Sequence, residues 1–94
     1  TNCGAIKGAC DSFKMGNLTE LLEKIKPAVQ MSKTSGERNS KNREFVNEVT
    51  ELNIADSIAY IRANSSILSE MESSGKVKIV GAILDTSSGK VLWK

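Results

Sequence analysis

The run Val77-Lys78-Ile79-Val80-Gly81-Ala82-Ile83-Leu84 constrains this chain more than any other stretch. It opens with alternation and becomes continuously apolar, the pattern of a strand covered on both faces. Asp85-Thr86-Ser87-Ser88-Gly89 reads as a turn, and Lys90-Val91-Leu92-Trp93 as a returning antiparallel strand. Two strands cannot cover both faces of such a run, and an isolated hairpin is marginal in water. Further strands are therefore expected, supplied by upstream sequence or by another chain.

Before that run the apolar spacing is helical. Ala5, Ile6, Ala9, Cys10 and Phe13 form one buried face and predict a helix over about 4–14, with Gly16 as its stop. Asn17 offers an N-cap, with Glu20 three residues on, to a second helix over about 17–31 whose stripe is Leu18, Leu21, Leu22 and Ile25. Pro27 either kinks that helix or starts a further turn, because it lacks an amide hydrogen and disfavours a helical residue before it. Phe45, Val46, Val49, Leu52, Ala55, Ile58, Ala59 and Ile61 then predict the longest helix, over about 42–63. Asn64-Ser65-Ser66 breaks it and caps a short helix over about 66–74, which carries Ile67, Leu68 and Met71 and stops at Gly75. With strands over about 77–84 and 90–93, the chain reads as α/β, mostly helical with a C-terminal hairpin, and as one partial domain over residues 1–94.

Ninety-four residues bury only a small core. A formal charge of +2 is too small to imply a nucleic-acid or membrane-surface partner. The most basic stretch, Lys33 to Arg43, is diluted by Glu37 and reads as a solvated loop. No apolar run approaches the roughly 20 residues needed to span a bilayer, and the start does not read as a signal peptide. On a helix, Cys3 and Cys10 would lie roughly 10 Å apart. A disulfide requires Cα atoms within about 7 Å, and the same separation stops both thiolates from ligating one zinc, whose bonds to sulfur are about 2.3 Å. Reduced cysteines fit a cytoplasmic compartment.

The chain contains no histidine, which removes the commonest general base and the commonest nitrogen ligand of zinc. Gly4 and Gly8 match neither the dinucleotide fingerprint nor the Walker spacing. Glu48 and Asp56 read as carboxylates on a solvated helix face, and Arg62 as a helix C-terminal or loop contact. Cys10 reads as a small buried hydrophobe. Cys3 stands apart, since it precedes a glycine and then an apolar-periodic run, the setting of a cysteine at a helix N-terminus, where anions are favoured.

Thr1-Asn2-Cys3-Gly4-Ala5-Ile6-Lys7-Gly8 resembles the second metal-binding motif of the β-class carbonic anhydrases, in which a histidine, two variable residues, a cysteine and a glycine follow a parallel strand. Phe45-Val46, Asn53-Ile54, Ser57-Ile58, Ile61-Arg62 and Asn64-Ser65-Ser66-Ile67-Leu68 are similar to that family's long helix and the short one after it. Lys78-Ile79-Val80-Gly81-Ala82, Asp85 and Gly89-Lys90-Val91 are similar to its last two strands. The motif's histidine would fall one residue before Thr1. The family's earlier motif, which carries a cysteine and an aspartate–arginine pair, has no counterpart here.

The resemblance implies the C-terminal half of a zinc-dependent enzyme that interconverts carbon dioxide and bicarbonate, with a hairpin that joins a central parallel sheet. It implies zinc held by two thiolates and one imidazole, with Cys3 as one of the thiolates, and a close backbone approach to the metal pocket at Gly4. It also implies a homo-oligomer, completed by the missing N-terminal half or another copy of the chain, in which the isolated 94 residues are inactive. Two other readings are a non-catalytic interaction module that pairs through its open sheet edge and a thiol enzyme using Cys3.

Overall fold

A computed structural model describes all of residues 1–94. The chain is mostly helical and ends in a two-stranded antiparallel hairpin, the architecture expected from the spacing. It divides into two compact units, one of residues Asn2–Asn53 and one of Ile54–Lys94 together with Thr1.

The first unit holds α1 (Gly4–Cys10), α2 (Gly16–Glu23), α3 (Lys26–Met31) and the N-terminal half of α4 (Arg43–Asn64). Its core joins Ile6, Ala9 and Cys10 of α1 to Leu22, Ile25 and Ala28, and to Phe45, Val46 and Val49 of α4. Phe45 and Val49 are wholly removed from solvent. The first expected helix is shorter than its spacing implied. It ends at Cys10, Ser12 takes a left-handed φ of 53°, and Phe13, expected on the buried face, is 47% exposed. The Phe13 amide donates back to the Gly8 carbonyl at 2.9 Å, closing the helix end.

The second expected helix is two. Helix α2 starts at Gly16, where the spacing predicts a stop, and the Met15 amide donates to the Thr19 hydroxyl at 2.8 Å. Helix α3 begins around Pro27 because a first-turn amide has no helical acceptor to lose. Pro27 starts a further turn.

The loop from Ser32 to Lys41 is tied down at both ends of its course. Ser32 is buried, and its hydroxyl and that of Thr34 both donate to Oε2 of Glu48. The Thr34 amide donates to the same oxygen at 3.0 Å and the Lys33 amide to Oε1 at 3.3 Å. Glu48 is thus a loop clasp, not the solvated carboxylate expected. A helix position alone does not reveal which loop hydroxyls return to it. Arg38 donates to the Val29 carbonyl at 2.8 Å and the Ser32 carbonyl at 3.3 Å, and lies 4.6 Å over the Phe45 ring. Asn42 takes up two loop carbonyls, and its Oδ1 accepts from the Phe45 amide at 3.4 Å, capping α4.

The second unit is built on the C-terminal half of α4, on α5 (Ser66–Ser73), and on β1 (Ala82–Leu84) paired with β2 (Val91–Trp93). Ser65 caps α5 by accepting from the Leu68 amide at 3.2 Å. Arg62 forks onto Glu72 of α5 through Nε at 2.7 Å and Nη2 at 2.9 Å. The register sets Ala82 opposite Trp93, Ile83 opposite Leu92 and Leu84 opposite Val91.

The expected strand over 77–84 is paired only over its last three residues. One neighbour gives one ladder, and the run is covered on one face only. Its odd positions turn inward, where Gly81 lies so close to α4 that a Cβ there would meet Ile54 Cγ2 at 2.3 Å and Ile58 Cδ1 at 3.2 Å. On the even positions Val80 and Leu84 are about half exposed, and Val91, Leu92 and Trp93 of β2 are all exposed. Ala59 and Ile61 of α4, also expected in the core, are exposed as well.

Two outcomes follow from these contacts. Gly81→Ala is expected to cost about 1–3 kcal/mol in denaturant unfolding through overpacking, and adding Ile54→Ala, which removes the clashing methyl, should restore part of it. Hydrogen bonds from Ser32, then Thr34 and the two amides, lower the Glu48 carboxyl to about 2. A lowered folded value adds stability above the ordinary carboxyl range, near 4.3, and that stability is lost as pH falls towards about 2. In Glu48→Gln this part of the acid dependence should vanish, as read by chemical unfolding at stepped pH.

Candidate functional site

Cys3 occupies the N-cap position of α1 with extended backbone angles of −68° and 118°, and its carbonyl accepts from the Lys7 amide at 3.1 Å. Its side chain makes no capping hydrogen bond and is exposed. Gly4 follows as the first residue of the helix. The neighbouring Asn2 accepts from Lys7 Nζ at 3.2 Å. The expectation of a thiol at a helix start therefore matches the geometry.

Cys10 differs in every respect. It is 3% exposed in the core, and burial followed by the Asp11 carboxylate pushes its thiol up, with Arg38 opposing. A thiol held neutral in this way is packing material, not a ligand or nucleophile. Both cysteines are free.

Gly4 is exposed at the start of α1. A Cβ built there has no atom within 4 Å, so nothing in these residues requires glycine at that position.

Catalytic zinc takes three protein ligands and structural zinc four. No three side chains among His, Cys, Asp and Glu gather into such a group anywhere in the structure, and the sequence has no histidine. The residues present do not make a complete zinc centre. Cys3 is a single ligand-type side chain.

One polar constellation escaped the sequence reading. Asp85 accepts from the Ser87 amide at 3.1 Å and from the hydroxyls of Ser87 at 2.8 Å and Ser88 at 2.7 Å. Those hydroxyls, Ser88 first, hold its carboxyl down to about 2. Thr1 joins this turn. Its hydroxyl donates to Asp85 Oδ1 at 3.2 Å and accepts from the Thr86 amide at 3.1 Å. The turn itself is the one expected over Asp85 to Gly89, with Asx-type hydrogen bonding, whereas its tie to Thr1 spans almost the whole sequence and has no local sign. Arg38 and Glu48 were missed for the same reason.

No helix is long and apolar enough to cross a membrane. The family model described as carbonic anhydrase matches residues 1–91, from the segment before α1 to the first residue of β2. Comparison with curated proteins and with solved structures gives no match.

The two thiols should be separable by chemistry. Iodoacetamide is expected to alkylate Cys3 in the folded protein and to spare Cys10 until denaturant is added, as read by peptide mass mapping. Gly4→Ala should leave the unfolding midpoint unchanged.

Proposed function

The chain belongs to the β-class carbonic anhydrase family, and we propose that it is the C-terminal portion of such an enzyme, carrying Cys3 as one thiolate of its zinc site. The observation that supports this reading is the family match from residue 1 to residue 91, which begins where an exposed thiol sits at the N-cap of α1. A thiol in that position is open to a metal held jointly with residues from elsewhere. Cys10, neutral and buried, is not.

The reaction proposed for the whole enzyme is the reversible hydration of carbon dioxide to bicarbonate. Zinc, when bound, supplies a hydroxide at neutral pH by acidifying its water. Cys3 alone cannot hold zinc in a catalytic geometry, so the remaining ligands belong to an N-terminal half or to another copy of the chain. The role of Gly4 is then to leave room at the metal pocket for groups that these residues do not include. The open space around its Cα accords with that. A cytoplasmic, homo-oligomeric enzyme completes the proposal, in keeping with two free thiols and an uncovered hairpin.

A second reading has its own observation. Val91, Leu92 and Trp93 of β2 are all exposed on a strand with one neighbour, a surface suited to strand addition by another chain. Under this reading the 94 residues are a non-catalytic assembly module.

Zinc analysis separates the two. The pure 94-residue chain is expected to retain well under one zinc per chain after dialysis and to show no carbon dioxide hydration above buffer. Supplying an upstream segment that carries a histidine and a second cysteine should restore both, and Cys3→Ser in that longer protein should remove them. Stoichiometric zinc with full activity in the 94 residues alone would overturn the reading. Metal-free oligomers whose formation ignores the upstream segment would favour the assembly module.

A further inference from the structure

A groove of about 350 Å³ opens in the first unit beside the C-terminal end of α1. We propose that it binds a small monocarboxylate with an apolar tail. Its floor is apolar, formed by the buried Ala9 and Leu22 and the half-buried Val29. Phe13 lines it while remaining 47% exposed, because the left-handed Ser12 turns the chain away from the helix that would have buried the ring. An aromatic side chain so placed is wetted in the free protein and would be dried by a hydrocarbon tail.

The charged groups around this floor are unbalanced. Lys14, Lys26 and Arg38 line the groove against a single carboxylate, Glu23, in a chain whose total charge is only +2. Glu23 is taken up by Lys26 at 3.6 Å. Arg38 is held in place by two backbone carbonyls and the Phe45 ring, and two of its five N–H donors serve those carbonyls. A guanidinium fixed beforehand binds a planar carboxylate with less loss of side-chain freedom than a mobile cation does. The volume is within the range of single-ligand pockets, about 300–1,000 Å³. An apolar floor with a positive rim selects for a tail and an anionic head on the same molecule. The groove uses neither Cys3 nor Gly4, so the proposal is independent of the zinc reading.

Octanoate is the probe, with acetate as head alone and octanol as tail alone. Titrated into the ¹⁵N-labelled 94-residue chain, octanoate should saturate and shift the amides of Ser12–Lys14 and Leu22–Lys26. Acetate and octanol should each bind roughly tenfold or more weakly, as loss of a charge-assisted contact or of tail burial predicts. Lys14→Glu with Lys26→Glu should weaken octanoate by a similar factor while leaving the far-ultraviolet circular dichroism unchanged. Phe13→Ser, a change at an exposed position, gives a second reading if the charge-reversed variant fails to fold. The proposal is overturned by shifts no larger in the groove than at Val91–Trp93, by octanol binding as well as octanoate, or by no saturable shift.

Discussion

Burial of Phe45 and Val49 is the constraint on which the first unit depends. Both are wholly withdrawn from water on the N-terminal half of α4, and the short helices α1, α2 and α3 each bring residues to the same cluster. Helices of six to eight residues are not stable alone in water. Their order comes from the shared core. The clasp of Glu48 on Ser32 and Thr34 and the stacking of Arg38 on Phe45 fasten the intervening loop to that same stretch of α4. A polar loop is thereby held by the helix that carries the largest buried side chains.

The second unit solves a different problem incompletely. Its hairpin closes one face by bringing Gly81 against Ile54 and Ile58, where any side chain would collide. The other face and the whole of β2 stay in contact with water. An apolar strand with one neighbour is an unfinished sheet. The candidate site is unfinished in the same sense, since it offers one exposed thiol and no three ligand-type side chains gather around a common point. A partial carbonic anhydrase fold is consistent with both features.

Much of this was legible in the residues. Helical spacing located α4 and α5 to within a residue or two, and Ser65 was readable as a cap because a serine ahead of an apolar turn offers an acceptor to the first free amides. Cys3 before a glycine was readable as a helix-start thiol. Less legible were the places where a contact distant in sequence overrides the local pattern. Phe13 fits the stripe of α1 by spacing, yet a left-handed Ser12 takes it out. Ala59 and Ile61 fit the stripe of α4, yet both remain exposed. Glu48 resembles any surface carboxylate until two loop hydroxyls are found on it.

The sequence by itself determined the element types, the family, the absence of histidine, and the place of Cys3 at a helix start. These depend on local spacing and on the chemistry of single side chains, which a linear reading carries in full. Only the tertiary structure decided that Cys3 is open to solvent, that the apolar run after Gly75 is covered on one side, and that Thr1 is tied to the turn at Asp85. Burial and long-range hydrogen bonding depend on which distant segments meet, and spacing along the chain does not specify that. Helical periodicity says which residues share a face, and only packing says whether anything covers it.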